Sequence, residues 1–384
     1  MSAKIEGTVA PGFEAARAAF AENFARAGDY EELGASFAAY HRGRLVVDLW
    51  GGFRDKAKTT GFTRDTLVNV WSTTKAITAT AVALCVERGL VRYEDKVAAV
   101  WPEFAEAGKA EITLAHVMSH QAGLPGFVEP TRVEDQLDWD SCCEKLARQK
   151  PAWPPGTASS YHAMTYGWLA GEVVRRVSGR SVGQFVADHL ARRIEGSLFI
   201  GLPESEETRV AEMVAPASMI DPASLPLPPE ARMAVSNPSQ DPHFPNRRDW
   251  RAAEIPAANG HADALSLARL FSSFVSAGKS ETPKLLAPET IARMTMPAAP
   301  PGRKDMLLQF VDCWAMGFLI NTPGVYGPNK RAFGHSGWGG SFACADPDRE
   351  IAIGYVCNRM GRDLVGDPRT QGLCHAVTGA ADQL

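Results

Sequence analysis

The sequence lacks the features that mark several large classes of protein. Its 384 residues carry a net charge of −4 and contain no lysine and arginine cluster interleaved with aromatic residues, so we expect no nucleic-acid partner. The longest helix-like apolar run, Ala76 to Val86, is too short to cross a bilayer. The first 20 residues lack a basic start followed by an apolar segment, which is unlike a secretory signal. We therefore expect a cytoplasmic protein without a membrane partner.

The cysteines and histidines show no pattern typical of a metal site or a disulfide framework. The seven cysteines are an odd number, and they are scattered except for the adjacent pair Cys142 and Cys143. None of them forms a C-x-x-C pair, so we interpret them as reduced thiols. The nine histidines include no H-E-x-x-H motif. The sequence therefore predicts no cofactor and no metal.

Strand-like segments lie at the two ends of the chain and helix-like segments lie mostly between them. Apolar runs at 37–40 and 45–50 predict a hairpin closed at Gly43. Further strand-like runs lie at 314–321, 332–345 and 351–358. Helical patterns lie at 13–27, 72–88, 114–119, 142–149, 165–177, 182–193, 263–277 and 373–381.

A sheet built from both ends, with a helical insertion, explains this order. We assign residues 1–70 and 255–384 to a discontinuous α/β domain and residues 71–254 to a mainly helical domain. Nine prolines between Pro216 and Pro256 predict a long irregular segment, of the kind that often covers a pocket.

The short stretch "GRSVG" around Ser181 fits the G-x-S-x-G pattern that holds the nucleophile in many serine esterases. Such a nucleophile needs a strand before the serine and a helix after it. The preceding segment is helical in pattern instead, because Leu169, Val173 and Val177 fall on one face. Ser181, with Gln184 three residues later, fits a capping box. We therefore predict that Ser181 begins a helix and is not the nucleophile.

A better-placed serine lies in "VWSTTK", where Ser72 and Lys75 form an S-x-x-K pair. Ser276 and Lys279 fit the same pattern, but they fall at a helix end before a polar stretch. Ser72 instead opens a helix without charge between Lys75 and Glu87, and the N-terminus of such a helix favours an oxyanion. A lysine in apolar surroundings has a lowered pKa, so Lys75 can help to remove the serine proton. The alternative is that Ser72 caps the helix and Lys75 lies at the surface.

Two later stretches can supply the remaining parts of a serine–lysine site. In "WPPGTASSYHAM", a rigid turn precedes Tyr161, whose phenol can take the serine proton as a phenolate if a lysine cation lowers its pKa. In "AFGHSGWGGSFACADP", glycines let a strand approach a ligand closely, and an N–H there can join that of Ser72 in an oxyanion hole. Taken alone, the first stretch favours a packed tyrosine, and the second is also typical of a glycine-rich edge strand or bulge.

Together these stretches resemble the serine β-lactamase and penicillin-binding-protein superfamily, most closely the class C β-lactamases and the β-lactamase-like family VIII carboxylesterases. "STTK" resembles the S-x-x-K box, "YHA" stands where the family has Y-x-N or Y-S/Y-H, and "HSG" stands where β-lactamases have K-T-G. "WGG" then follows, as in the esterases. The resemblance covers most of the chain, since "VMSHQAGLPGF" and "ANGHADALSLARLF" also resemble family stretches. It implies an α/β (α+β) fold, with an antiparallel sheet flanked by helices, an inserted helical domain, and the active site between the two domains.

The resemblance also implies a role for individual residues. Ser72 would be the acylated nucleophile, Lys75 its activating partner, and Tyr161 the general base and then the general acid. The amides of Ser72 and Trp338 would form the oxyanion hole. The residues expected to bind substrate are His335, Ser336, Gly337, Trp338 and Gly339.

Three departures from the β-lactamase pattern favour an uncharged ester as substrate. Ala163 replaces the Asn of Y-x-N and so removes an amide that would bind a β-lactam side chain. His335 replaces the lysine of K-T-G, and a neutral imidazole is a poor partner for a carboxylate. Trp338 adds a bulky apolar wall. We therefore predict that the protein hydrolyses short-chain carboxylic esters, its small-molecule partners, through an acyl-enzyme on Ser72. The alternatives are a β-lactamase or D-alanyl-D-alanine peptidase, and a catalytically inactive binding protein. The number of chains, a homo-oligomer included, is left open.

Overall fold

The computed structural model describes residues 4–221, 224–276, 278 and 280–384. The β-strands in these residues are β1 Ile5–Val9, β2 Gly34–His41, β3 Arg44–Gly52, β4 Val68–Asn69, β5 Leu198–Phe199, β6 His261–Ala262, β7 Leu319–Ile320, β8 Phe333–Ser336, β9 Phe342–Asp346 and β10 Ile351–Cys357. Seven of them form an antiparallel sheet in the order β1-β3-β2-β10-β9-β8-β7. The other three form a small sheet in the order β4-β6-β5.

The main sheet combines the two ends of the chain, as the sequence predicts. β2 pairs with β3, so the predicted hairpin at Gly43 is confirmed. β10 pairs with β2 and thereby joins the C-terminal strands to the N-terminal ones. The predicted strand at 314–321 is reduced to β7, and the one at 332–345 is divided into β8 and β9 by the glycine-rich turn. The small sheet was not predicted, because two-residue strands are too short to show an alternating pattern.

The α-helical segments in the described residues are α1 Glu14–Asn23, α2 Thr74–Glu87, α3 Leu114–Met118, α4 Trp139–Arg148, α5 Thr165–Ser178, α6 Val182–Val186, α7 Arg192–Ile194, α8 Pro229–Ser236, α9 Arg248–Ala252, α10 Ala264–Val275, α11 Pro288–Thr295 and α12 Pro368–Ala381. Each predicted helix has a counterpart among them. A π-helical turn at Ala187–Ala191 joins α6 to α7, and residue 277, the predicted end of α10, lies outside the described residues. No described helix is both long and apolar enough to cross a membrane.

Helices cover both faces of the main sheet. Neighbouring residues of β2 face opposite sides, because Ala38 and Tyr40 belong to one hydrophobic core and Phe37 and Ala39 to another. α10 packs against β2, β9 and β10 in the first core, and α1 packs against α12 in the second. The predicted antiparallel sheet flanked by helices is therefore confirmed. The division into the domains 1–70 with 255–384, and 71–254, stays a prediction.

In its described residues, the proline-rich segment contains the short helices α8 and α9 and a 3₁₀ turn at Phe244–Asn246, and is otherwise irregular. Its C-terminal part reaches the S-x-x-K pair. The Trp250 ring of α9 lies 5.7 Å from that of Trp71, centroid to centroid, and Thr78 of α2 donates a hydrogen bond to the Pro256 carbonyl at 2.7 Å. The segment therefore packs against the first turns of α2 and against Trp71, the residue before Ser72.

Candidate active site

Ser72 lies in a tight turn immediately before α2. Trp71–Thr73 form a single 3₁₀ turn. The α-helix begins at Thr74, two residues after the start at Ser72 that the sequence predicts. Trp71 has a φ of +42°, a conformation that is uncommon outside glycine and often found at functional sites. Ser72 is therefore not the capping residue of α2, and its half-buried side chain is free for another role.

The residues just before β6 hold this turn in place. The Val70 N–H donates to the Gly260 carbonyl at 2.9 Å, and Asn69 Nδ2 donates to the same carbonyl at 3.2 Å. In return, the Gly260 N–H donates to the Thr74 hydroxyl at 2.8 Å. All of these groups are buried, so the backbone on both sides of Ser72 is fixed.

Lys75 is fully buried beside Ser72. Its Nζ lies 3.0 Å from Ser72 Oγ, 2.7 Å from the Ala163 carbonyl and 2.9 Å from the Ala257 carbonyl. Burial lowers the pKa of Lys75 well below its usual range. Three acceptors at these distances fit the three N–H bonds of an ammonium, whereas the neutral amine has two N–H bonds for the carbonyls and a lone pair for the Ser72 proton. Lys75 is thus not a surface residue, and in its neutral form it can accept the proton of Ser72.

Tyr161 packs over Lys75 in a buried aromatic environment. Lys75 Nζ lies 4.7 Å from the centroid of the Tyr161 ring, and the ring stacks on Trp314 with centroids 5.4 Å apart. The Tyr161 hydroxyl makes no hydrogen bond of normal geometry to a described residue. Burial raises its pKa above the usual value, while neighbouring Ser72 opposes the rise and Asp305 adds to it.

The direction of this pKa shift is opposite to the one that the sequence predicts. The sequence predicts that a lysine cation lowers the pKa of Tyr161, but burial penalises the charged forms of both groups. Lys75 is held towards the neutral amine and Tyr161 towards the neutral phenol. The resting site therefore favours Lys75 as the proton acceptor and Tyr161 as a proton donor.

The glycine-rich turn between β8 and β9 lies directly against the Ser72 turn. A Cβ on Gly337 would lie 2.2 Å from the Val70 carbonyl oxygen, so only glycine permits this approach. Ser341 Oγ donates to the same carbonyl at 2.8 Å. These contacts connect the turn that contains Trp338 to the residue two positions before Ser72.

The amide of Trp338 is available within this turn. The neighbouring amides of Gly337, Gly339 and Gly340 donate to carbonyls of the protein, whereas the Trp338 amide donates to none of the described residues. The Trp338 ring is half-buried and lies 5.1 Å from that of Trp71, centroid to centroid. This arrangement favours the Trp338 N–H as a partner of the Ser72 N–H in an oxyanion hole.

His335 and Ser336 are buried at the end of β8. His335 Nδ1 lies 2.9 Å from the Ser336 carbonyl, and because a carbonyl only accepts, this nitrogen bears the proton. Burial, together with Lys75, lowers the pKa of His335 to about 3. The imidazole is therefore neutral, and its Nε2 is a buried acceptor without a partner in the described residues. Substrate contacts of the five residues 335–339 stay a prediction.

Two features of the site are not predicted by the sequence. One is the pair of backbone carbonyls that bind Lys75, which carry no sequence signal. The other is His120, a buried residue with a φ of +62°, whose ring lies 4.2 Å from Trp314 and 5.1 Å from Tyr161. Trp314 Nε1 in turn donates to Asp305 at 2.8 Å. The signal that points to His120 is its place in the family-like stretch "VMSHQAGLPGF".

Ser181 caps α6, as the sequence predicts. Its Oγ accepts from the Gln184 N–H at 3.3 Å, and the Gln184 side chain accepts from the Ser181 N–H at 3.3 Å. Ser181 Oγ also donates to Glu254 Oε1 at 2.5 Å. Gly179, with a φ of +68°, ends the preceding helix α5. The "GRSVG" match therefore connects two helices, and its serine hydroxyl is used within the protein.

Of the second S-x-x-K match, the structure describes the serine, Ser276. Ser276 Oγ donates back to the Ser272 carbonyl at 2.9 Å, and Lys279 lies outside the described residues. A cavity of about 630 Å³ nearby is lined by residues of α10, α11 and β7. None of the groups around Ser72 lines this cavity, so the Ser72 site is separate from it.

Comparisons with known proteins agree with the geometry. The family model described as Beta-lactamase matches residues 17–373. Among curated proteins, the Esterase/beta-lactamase LipL of Mycobacterium tuberculosis (strain ATCC 25618 / H37Rv) is 33% identical over 364 residues, which cover 91% of this chain and 83% of LipL.

Solved structures give the same result over nearly the whole chain. A family VIII carboxylesterase superposes with a TM-score of 0.90 at 40% identity, covering 98% of this chain and 100% of that one. A penicillin-binding protein homologue from Caulobacter crescentus superposes with a TM-score of 0.86, also at 40% identity, with coverages of 98% and 100%. EstA from Arthrobacter nitroguajacolicus Rue61a gives a TM-score of 0.85 at 31% identity, with coverages of 100% and 99%. With a family match along most of its length and relatives of this similarity, the chain belongs to the beta-lactamase family.

Proposed function

We propose that the protein is a family VIII-type esterase that hydrolyses short-chain carboxylic esters through an acyl-enzyme on Ser72. The observation that carries this proposal is the buried amine of Lys75, 3.0 Å from Ser72 Oγ, with two carbonyls as acceptors for its N–H bonds. The relatives named as esterases support an ester as the substrate.

In the first half-reaction, Ser72 Oγ forms a bond to the ester carbonyl carbon while its proton passes to Lys75. The carbonyl oxygen becomes an oxyanion, for which the amides of Ser72 and Trp338 are the proposed donors. The tetrahedral intermediate then breaks its bond to the alcohol oxygen, which takes a proton from Tyr161. The proton held by Lys75 replaces the one that Tyr161 has given. The alcohol leaves, and the acyl group stays on Ser72.

In the second half-reaction, water replaces the alcohol and the steps run in reverse. Tyr161 takes a proton from the attacking water as it passes its own proton to Lys75. When the second tetrahedral intermediate breaks its bond to Ser72 Oγ, the serine recovers its proton from Lys75. One water molecule is consumed, and one carboxylic acid and one alcohol are released.

The surroundings of His335 support an uncharged ester over a substrate with a carboxylate. A neutral imidazole with an acceptor nitrogen provides no positive charge for such a group, and Ala163 provides no side-chain amide. We therefore expect p-nitrophenyl butyrate to be turned over faster than nitrocefin. A clear preference for nitrocefin would favour the β-lactamase alternative instead.

A phosphonate ester that reacts with activated serines tests the nucleophile directly. We expect peptide mapping by mass spectrometry to find the phosphonyl group on Ser72 and none on Ser181, with loss of p-nitrophenyl butyrate hydrolysis in step with labelling. The Ser181→Ala variant is the matched control and should be labelled at the wild-type rate. Labelling at Ser181, or no labelling of an active preparation, would contradict the proposal.

A further inference from the structure

A buried arginine contacts the glycine-rich turn that contains Trp338. Arg369 lies in the first turn of α12 and has no exposed surface. Its Nη2 donates to the Gly339 carbonyl at 2.7 Å. Gly339 follows Trp338 directly in the sequence. The guanidinium is therefore bonded to the residue next to the amide that we assign to the oxyanion hole.

The N–H groups of this guanidinium are directed at acceptors on several segments. Nε and Nη2 form a forked pair of hydrogen bonds with Asp367, at 3.1 and 2.7 Å. Nη1 donates to the Arg359 carbonyl at 2.9 Å and lies 3.5 Å from the carboxylate of Glu32. Because a planar guanidinium has five N–H donors in fixed directions, these partners set its orientation. The direction of the bond to Gly339 is thereby fixed as well.

Gly339 is held from several sides within the protein. Besides the bond from Arg369, its carbonyl accepts from the Gly361 N–H at 2.9 Å, and its own N–H donates to the Asp363 carbonyl at 3.1 Å. On the other side of Trp338, the Gly337 N–H donates to the Ser341 carbonyl at 2.7 Å. Trp338 is thus the unbonded amide between two fixed residues.

The charges in this cluster are not explained by packing. Arg369, Asp367 and Glu32 are buried, and burial raises the pKa of Glu32 to about 7. Removing the charges of Arg369 and Asp367 from water costs free energy that a well-packed apolar cluster would not incur. Glu32 also accepts a hydrogen bond from the Tyr355 hydroxyl. A network of this kind gives one defined geometry, and the element at its end is the turn that contains Trp338.

We propose that Arg369 is a positioning residue for the oxyanion hole: through Gly339, it orients the Trp338 amide towards the oxygen that becomes negatively charged in the transition state. The inference rests on the proposed function, because it assigns Arg369 to the same reaction. Arg369 itself contacts neither Ser72 nor, in this proposal, the substrate.

The Arg369→Lys variant tests the proposal, since an ammonium has three donors and no planar fork. We expect kcat for p-nitrophenyl butyrate to fall at least about tenfold while KM changes less than about threefold, because an oxyanion donor acts mainly in the transition state. We also expect the affinity for a boronic acid, which forms a tetrahedral adduct with the active serine, to fall by a similar factor. Asp367→Asn, which keeps Arg369 but removes its forked partner, should give a smaller change in the same direction.

Arg349→Lys is the matched control. Arg349 lies beyond the opposite end of β9 and is bonded to Asp346 and Asp382, so this variant should keep kcat and boronic acid affinity within about twofold of wild type. Circular dichroism and thermal unfolding identify the folded variants. A folded Arg369→Lys protein with unchanged kcat and boronic acid affinity, or with a change in KM alone, would overturn the inference and leave the proposed function intact. Wild-type protein in which the phosphonate does not label Ser72 would overturn both.

Discussion

Ser72 and Ser181 both lie at the N-terminal side of a helix, and each belongs to a short motif typical of serine hydrolases. Ser181 Oγ donates to the carboxylate of Glu254 at 2.5 Å and accepts from the Gln184 N–H. Ser72 Oγ lies 3.0 Å from the buried amine of Lys75. The groups around a serine hydroxyl, more than the motif that contains it, therefore determine whether it can act as a nucleophile.

The groups around Ser181 and around Ser72 also differ in whether they can stabilise an oxyanion. Glu254 accepts from the Gly183 N–H at 3.0 Å as well as from Ser181, so its carboxylate already occupies one of the amide donors at that helix start. A developing oxyanion there would meet a carboxylate. Beside Ser72, the Trp338 amide has no partner among the described residues, and no carboxylate contacts Ser72. Of the two serines, Ser72 is the one that has an available amide and the amine of Lys75 nearby in the described residues.

Removal of the Ser72 hydroxyl is the strongest test of this contrast. We expect Ser72→Ala to lower kcat for p-nitrophenyl butyrate by at least about 10³-fold, because the covalent intermediate no longer forms. Steady-state kinetics and intact-mass detection of the acyl-enzyme measure the effect. An acyl adduct that persists in Ser72→Ala would contradict the assignment.

Removal of the partner of each serine extends the comparison. Lys75→Met keeps an apolar chain of similar length but no base, so we expect kcat to fall by about 10² to 10⁴-fold. The corresponding change at the other serine, Glu254→Gln, should leave kcat within about twofold. Equal losses of kcat in Lys75→Met and Glu254→Gln would show that both substitutions act by disturbing the fold, and not that Lys75 takes part in the reaction.

The pH dependence separates the two candidates for the proton acceptor at Ser72. Since burial lowers the pKa of Lys75 and the neutral amine is the proposed active form, kcat/KM should rise as pH rises through that lowered pKa and then level off before the ordinary pKa of a lysine is reached. A phenolate base would give the opposite result, because burial raises the pKa of Tyr161 and activity would still be rising above the ordinary pKa of a tyrosine. Tyr161→Phe should lower kcat but leave the position of the acidic limb unchanged.

The sequence predicts those parts of this contrast that depend on local pattern. The capping box at Ser181, the hairpin at Gly43 and the buried helix after Ser72 each follow from spacing within a few residues. The stretches around Tyr161 and Trp338 are far from the S-x-x-K pair in the chain. Their local pattern makes them candidates for the same site, but their roles in it are implied by the resemblance.

The parts that the sequence does not predict depend on contacts between distant segments. The carbonyls that bind Lys75 belong to the backbone of Ala163 and Ala257, so the side chains of these residues carry no signal for this contact. The pKa of Tyr161 was predicted in the wrong direction, because its neighbour lysine is visible in the motif whereas its burial against Trp314 and His120 is not. Arg369 is separated from Gly339 by 30 residues, and its role depends on that long-range contact.

Removal of the Ser181 hydroxyl should have the smallest effect, a loss of stability without a loss of activity. We expect Ser181→Ala to lower the free energy of unfolding by about 1 kcal/mol, because an alanine cannot accept from the Gln184 N–H at the start of α6. Chemical denaturation measures this loss, and kcat should stay within about twofold of wild type. Ser181→Thr keeps the hydroxyl and should recover most of the stability, which separates loss of the cap from a general disturbance of the helix. If Ser181→Ala instead lost activity at unchanged stability, the motif and not its surroundings would identify the nucleophile, and the contrast between the two serines would be reversed.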